Sequence, residues 1–407
     1  MRILILGLNF TPELTGIGKY TGEMVQFLTR IGHHVHVVTT PPYYPHWYVL
    51  EGYRAWAYQR EIIDQAEVNR CPLWVPRQPR GLNRVVHLAS FGLTCLPIMF
   101  AQSFWKPDLV MCIAPAIASA PAALLTARLV GSKTWIHIQD FELDAALRLE
   151  MLPALNRIAV ILQWFERTLL NQFDHISTIS QRMLDHLAHK GLPTQKTSLL
   201  VNWVDCDQIF PSSSLTSLRA EWKIAAETLI ILYAGNMGQK QGLETLIDGA
   251  RLLQDDQHFQ FVLCGEGAAR AALQQQAIGL RNVHFFPLQP VERLNELLST
   301  ADIHVLTQRI NAADLVMPSK LSGMLASGRP VIATAQPGTE LASVIEQVGI
   351  LIPPENPFEL AQAIQRLAHQ PDLRLQLGQR GRAFALAHWD KESVLNHLNQ
   401  EVESLCQ

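Results

Sequence analysis

Short unbroken apolar runs recur along the chain, each followed by a longer stretch with helical spacing. That is the pattern of parallel strands buried on both faces and joined by crossover helices. The first series predicts strands at 3–8, 34–39, 109–113, 134–138, 175–179 and 198–201. The second predicts strands at 229–233, 260–264, 283–286, 303–306, 331–333 and 350–352, with helical stretches such as 243–254 between them. Between the series lies Pro-Ser-Ser-Ser-Leu-Thr-Ser at 211–217, polar and helix-breaking, which reads as a linker. The expected architecture is α/β, with two Rossmann-like domains over residues 1–210 and 218–388 and a C-terminal helix over 389–407.

Composition narrows the class. Of the 407 residues, 48% are apolar and 17% charged, a balance that supports buried sheets and argues against disorder. A net charge of -3 gives no global basic field for gathering nucleic acid. The six cysteines are scattered without a Cys-x-x-Cys pair and read as reduced, buried thiols of a cytosolic protein. The apolar run at the N-terminus has no small-residue cleavage site behind it and reads as a first strand, not a signal peptide. Residues 85–105 contain no Lys, Arg, Asp or Glu and are flanked by Arg77, Arg80 and Arg84 before and Lys106 after. The run is long enough to span a bilayer, but His87, Ser90, Thr94, Pro97, Gln102 and Ser103 dilute it, and a lone span would split a domain's strands across the membrane. It reads as a core helix or a membrane-surface helix. Residues 77–106 are the expected place of peripheral membrane contact, with a solvated basic loop as the plainer alternative.

Candidate chemistry gathers where strands hand over to helices. Gly16 and Gly18 sit after the first strand in Thr-Gly-Ile-Gly-Lys at 15–19, where a helix begins. Glycines there let a ligand approach the backbone, and free N–H groups with the helix dipole favour an anion. A nicotinamide dinucleotide is disfavoured, because Gly22 falls one residue late for the fingerprint and strand two ends in Thr39-Thr40, with no acid for a ribose. In the second half, Gly235, Asn236 and Lys240 belong to a stretch over 233–242 that repeats the phosphate-cradle pattern and opens a helix, and Gly265, Glu266 and Gly267 follow the next strand. Pro318, Ser319, Lys320 and Leu321 then start another helix, with Ser319 as its cap, the Lys320 and Leu321 amides unpaired and the lysine charge at hand. Each motif also has a plain reading as an ordinary turn, loop or capped helix. In the first half, Trp-Ile-His-Ile-Gln-Asp-Phe-Glu-Leu-Asp at 135–144 ends a strand with several ionisable groups. Asp140 is the first candidate to meet a substrate hydroxyl and His137 the second, a core histidine being the alternative for His137.

Taken together, these stretches resemble the retaining glycosyltransferases of the GT-B fold, family 4, especially the branch that makes colanic acid and related surface polysaccharides. The likeness rests on the 15–19 motif, Ala-Gly-Asn-Met-Gly-Gln-Lys-Gln-Gly-Leu at 234–243, Cys-Gly-Glu-Gly at 264–267, Pro-Ser-Lys-Leu at 318–321 and Ala-Ser-Gly-Arg-Pro-Val at 326–331. The resemblance implies two domains facing across a cleft, an acceptor on the N-terminal one, a sugar nucleotide on the C-terminal one, and a final helix crossing back. It implies transfer of a sugar, fucose-like and carried on GDP, to a polyprenyl-diphosphate-linked or oligosaccharide acceptor. Transfer would proceed with retention, without metal or other cofactor, in the cytoplasm or at the inner face of the plasma membrane. Lys240, Lys320 and the amides after Gly16 and Pro318 would hold the diphosphate. Two departures stand out. Many members carry an Arg and a Lys in the first C-terminal loop, where this chain has Asn236 and Gln241 with Lys240 one place away. The family's two glutamates, eight positions apart, fall on Leu315 and Gly323, leaving Asp314 as a displaced substitute beside the donor. A sugar-nucleotide epimerase of the same fold and a catalytically silent nucleotide-sugar-binding partner are the rival readings.

Overall fold

The apolar runs form the strands that their pattern predicts. In a computed structural model, which describes residues 1–77, 81–115, 117–141, 156–212, 217–310 and 317–407, the chain divides into two units. The first is Met1–Val201 with Leu395–Gln407, the second Asn202–Val394.

Unit 1 carries an eight-stranded sheet of β1 (Arg2–Gly7), β2 (His34–Thr39), β3 (Gln59–Ile63), β4 (Ala66–Arg70), β5 (Leu109–Ala114), β6 (Lys133–Ile138), β7 (His175–Thr178) and β8 (Thr197–Leu199). Their spatial order is β3-β4-β2-β1-β5-β6-β7-β8. All neighbours pair in parallel except β3 with β4. The helices α1 (Gly16–Arg30), α2 (Leu82–Gln102) and α3 (Ala120–Val130) follow β1, β4 and β5. The chain leaves β1 towards β2 on one side and later returns to β5 on the other, so the topological switch point lies between β1 and β5.

The β3–β4 hairpin is absent from the sequence expectation. Gln, Arg, Glu and Asn crowd its strands, and its two-residue turn is Asp64-Gln65, both with positive φ (46° and 65°), without the glycine that marks such turns. A tertiary contact holds it instead. Arg70, fully buried, donates to the carbonyl oxygens of Thr40 (2.8 Å) and Thr11 (2.6 Å), pairs with Glu61 across the hairpin and lies over the Tyr53 ring. The C-terminal segment belongs to this unit too. Leu395, Leu398 and Val402 are buried, Asn399 Oδ1 lies 2.8 Å from His33 Nε2, and Glu401 accepts from Ser198 Oγ (3.0 Å).

Unit 2 carries an all-parallel sheet of β9 (Leu229–Ala234), β10 (Phe259–Cys264), β11 (Val283–Phe286), β12 (Ile303–Leu306), β13 (Val331–Thr334) and β14 (Ile350–Ile352). The order is β11-β10-β9-β12-β13-β14, with the switch point between β9 and β12. Alternate residues enter different cores. Ile231, Tyr233, Phe261 and Leu263 pack with Leu246, Leu360 and Ile364 on one face, while Ile230, Leu232, Val262 and Cys264 pack with Leu218 and Leu297 on the other. A strand wet on neither face has no polar alternation to show, which is why these runs read as continuous.

The units divide at 201/202, not near 210, because 202–210 is stitched to the end of unit 2. Val204 N donates to Trp389 O (2.8 Å), Lys391 N donates to Val204 O (3.0 Å), and the Arg382 guanidinium donates to Cys206 O (2.9 Å) and Ile209 O (2.6 Å). Residues 213–216 of the linker lie outside the described residues. Replacing Arg70 by Ala strips two buried carbonyls and a carboxylate of their donor; we expect a loss of about 3 kcal/mol in unfolding free energy, read from denaturant titration.

Candidate functional site

In an open parallel sheet, the loops leaving the C-terminal edge beside the switch point are where ligands bind. At that edge of unit 2, the loop after β9, the loop after β10 and the helix Lys320–Ala326 come together. The two loops meet backbone to backbone. Gly235 N donates to Cys264 O (2.8 Å), Met237 N to Glu266 O (2.7 Å) and Ala269 N to Met237 O (2.9 Å). Gly265 has φ +154°, and a Cβ on it would stand 1.9 Å from Gly235 O, so no larger residue fits.

Gly235 makes room for something else. A Cβ there would lie 2.5 Å from Lys320 Cε and 2.8 Å from its Nζ, so the lysine stem occupies the space that the glycine leaves. Lys320 Nζ donates to Tyr233 Oη and Asn236 O (3.4 Å), and Tyr233 Oη donates to the same carbonyl (2.6 Å). The ammonium stands 4.3 Å from the Tyr233 ring centroid. Burial lowers its pKa to about 8, since none of these partners is a carboxylate that would hold the proton. A cation in this state is stabilised by an arriving anion.

Of the residues singled out from the sequence, Gly235, Asn236, Gly265, Glu266, Gly267, Pro318, Ser319, Lys320 and Leu321 sit on these loops and this helix start. Asn236 is exposed, and Glu266 pairs with Arg270 one helical turn on. Three details differ from expectation. Residues 233–242 do not open an α-helix directly: Gln239–Gln241 form a 3-10 turn, and the α-helix starts at Glu244. Lys240 is exposed on that turn, its carbonyl accepting from Arg309 N (3.1 Å), and its ammonium has no partner among the described residues. Ser319 makes no side-chain cap because its own backbone is already helical, and Leu321 N is spent on Pro318 O (3.0 Å), so that amide is not free. Asp314 and Leu315 lie outside the described residues.

Two participants went unnoticed in the sequence. Tyr233 supplies the hydroxyl that orients Lys320, and its one signal was a polar-tipped aromatic closing an aliphatic strand. Thr307 follows β12 at the switch point, with a buried Oγ1 that has no hydrogen-bond partner among the described residues. Among the described residues no three His, Cys, Asp or Glu side chains gather as they would around a metal ion.

Unit 1 builds the equivalent edge differently. α1 begins at Gly16 (φ +63°) with Thr15 as an N-cap that makes no side-chain bond. Glu13 is buried beside that start, its Oε1 accepting from Tyr43 N (2.9 Å) and Tyr44 N (3.0 Å) and its Oε2 from Asn9 Nδ2 (2.9 Å). Burial raises its pKa, against the pull of those bonds. A Cβ on Gly18 would stand 2.7 Å from this carboxylate, so Gly18 is explained by Glu13 without invoking a ligand.

Asp140 is exposed at the end of β6, on the rim of a small apolar pocket with Ala114, Pro115, Ile117, Ile138 and Phe141. His137 is not: it is 3% exposed, its Nδ1 lies 2.9 Å from Ser177 Oγ, and burial drops its pKa to about 3. It is a neutral core histidine, which corrects its reading as a second base.

The comparisons with known proteins agree with this layout. Residues 15–203 match the glycosyl transferase 4-like domain and residues 228–370 match the glycosyl transferases group 1. The chain is 39% identical, over 99% of its own length and all of the relative's, to WcaI of Escherichia coli (strain K12), described as a colanic acid biosynthesis glycosyl transferase. Sucrose-phosphate synthase from Thermosynechococcus elongatus matches 99% of this chain and 98% of its own, with a TM-score of 0.75 and 18% identity. HepE from Anabaena, solved with UDP and glucose, matches 99% of this chain and all of its own at a TM-score of 0.68 and 16% identity. The fold is that of the GT-B glycosyltransferases.

Gly235→Ala tests the site's geometry. The added methyl must displace Lys320 and strains a backbone at φ +125°, so we expect a destabilisation of about 1–3 kcal/mol together with at least a tenfold loss of nucleoside diphosphate affinity, measured by thermal unfolding and calorimetry.

Proposed function

We propose that this chain, which belongs to the glycosyltransferases that combine a 4-like domain with a group 1 domain, moves a sugar from a nucleotide-sugar donor to a lipid-linked or oligosaccharide acceptor while a surface polysaccharide is built. The observation that carries the reading is the Lys320 ammonium, desolvated over Gly235 with, among the described residues, a phenol and a carbonyl as its hydrogen-bond partners. The relative WcaI, named for colanic acid biosynthesis, supports the polysaccharide setting, and HepE, solved with UDP and with UDP-glucose, supports a nucleotide-sugar donor.

In such a transfer an acceptor hydroxyl oxygen bonds to the donor's anomeric carbon while the bond from that carbon to the phosphate oxygen breaks. The nucleoside diphosphate leaves with the electron pair. Negative charge grows on the departing oxygen, and a fixed cation lowers the barrier by meeting it there. Lys320 takes that role, with Lys240 as a second, freely hinged cation and the glycine-loop amides around them; no metal is needed. With retention by front-face attack, the hydroxyl proton passes to the departing phosphate oxygen, and Asp140 in unit 1 orients the acceptor hydroxyl. The donor is a fucose-like sugar on GDP, and the work is done at the inner face of the membrane.

A panel of GDP, UDP and ADP in thermal shift identifies the base, since ligand at a hundred times its dissociation constant adds about 2.7 kcal/mol. Hydrolysis of the matching nucleotide sugar follows from a transferase; release of a free epimerised sugar, or binding with no turnover at all, overturns the reading. Lys320→Ala should cut turnover more than tenfold. Its pH dependence has a definite sign. The ammonium is charged below about pH 8, so diphosphate affinity is level there and falls above it, by up to about tenfold per pH unit, as binding must take up a proton; Lys320→Ala flattens this profile. Asp140→Asn should lower kcat by about a hundredfold with donor affinity unchanged.

A further inference from the structure

The Lys320 charge is only as well placed as the helix that carries it, and that helix, Lys320–Ala326, is about 10 Å long. Its far end is held from outside. Ala326 O is one of the carbonyls that a helix end leaves unpaired, and it accepts from Arg382 Nη1 (3.0 Å). The same guanidinium donates to Ile209 O (2.6 Å) and Cys206 O (2.9 Å), so one side chain gathers three carbonyls from two separate stretches. Ala326, Cys206 and Ile209 are all buried. Arg382 itself comes from the helix Pro371–His388, which meets the end of the Lys320 helix through glycines. A Cβ on Gly378 would stand 2.1 Å from Gly328 O, and one on Gly381 would stand 3.0 Å from Leu325 Cδ2.

The stretches that Arg382 joins have a particular place in the chain. Unit 2 is Asn202–Val394, so the chain enters it just before Cys206 and leaves it just after the helix Pro371–His388. The entering and leaving segments lie side by side. Val204 and Asp390 form a parallel bridge, with Val204 N donating to Trp389 O (2.8 Å) and Lys391 N to Val204 O (3.0 Å). Further along, the entering segment is fastened to the residues that follow the Lys320 helix. Pro211 Cγ would lie 2.6 Å from a Cβ on Gly328 (φ +69°), and Arg329 Nη2 donates to Ser212 O (3.0 Å) as well as to Ser299 O (2.9 Å). A ligand that fixes Lys320 therefore fixes a helix whose other end shares buried hydrogen bonds with both segments, and by linkage whatever stiffens those segments steadies Lys320.

We propose that Arg382 is a positioning residue for the transfer: it ties the Lys320 helix to the paired segments through which the chain enters and leaves unit 2, so that a nucleoside diphosphate seated at Lys320 also steadies those segments. This rests on the preceding reading for the role of Lys320 and adds to it a residue that acts through Lys320. Arginine is required at the position, because the planar fork of a guanidinium spans three carbonyls that a single ammonium cannot.

The test is amide hydrogen exchange of the full chain, followed by mass spectrometry, without ligand and with saturating GDP or UDP. In the wild type we expect the nucleotide to slow exchange at least tenfold both in 233–238, beside Lys320, and in 203–210 and 389–392. Arg382→Lys should keep the slowing at 233–238 and lose it in the two other stretches. Its turnover of nucleotide sugar should fall at least tenfold while diphosphate affinity changes less than about threefold, a split that general loosening of the fold does not give. Wild-type slowing confined to 233–238 overturns the proposal, and so does an Arg382→Lys variant that responds at 203–210, or turns over, like the wild type; Arg382 is then a brace of the fold alone. Should the variant not fold, the wild-type comparison decides by itself. Unchanged exchange at 233–238 with either nucleotide is a different failure, that of the donor site at Lys320, and takes the proposal with it.

Discussion

A lysine ammonium that loses its water and, among the described residues, gains no carboxylate is held at a cost, and the unit 2 site depends on that cost being accepted at Lys320. The neighbours are arranged to make it tolerable and no more. The Tyr233 hydroxyl and the Asn236 carbonyl accept from the ammonium, the phenol ring lies beside it, and the missing side chain of Gly235 leaves the volume that the stem occupies. The loops after β9 and β10 must then touch through bare backbone, which makes Gly265 obligatory in turn. One poorly compensated charge thus dictates the residue types of two successive strand ends.

The two units share a layout and invert its electrostatics. In unit 1 a glycine at the strand-to-helix turn also makes room for a charged side chain, but there it is Glu13, already supplied with three donors. The Glu13 carboxylate beside the start of α1 accepts from Tyr43 N, Tyr44 N and Asn9 Nδ2, not from the amides of α1. Gly18 makes room for the Glu13 carboxylate, whereas Gly235 makes room for the Lys320 ammonium.

Legibility followed physics. β1, β9 and β10 were evident because burial on both faces removes every polar interruption, and the strand ends they deliver were evident from glycines. The β3–β4 hairpin was hidden because its reason is remote: Arg70 reaches across to Thr40 and Thr11, and nothing in the local sequence announces it. His137 could not be decided by alternation, since on a strand buried on both sides each parity leads into a core. Gly18 was ambiguous for a related reason. A glycine reports that something comes close, not whether that something is a ligand or a neighbour's side chain. Tyr233 was missed because its role lies in a hydroxyl 87 residues away from the lysine it orients.

Unit 1 is not contiguous in the chain. Its sheet comes from the first 201 residues, but Leu395, Leu398 and Val402 are buried in the same unit, and Asn399 and Glu401 pair with His33 and Ser198. On a ribosome, therefore, the part made first is the part completed last. Nearly two hundred residues, 202–394, are translated between the first half of unit 1 and the segment that covers it, so unit 1 cannot be completed until the end of the chain is made.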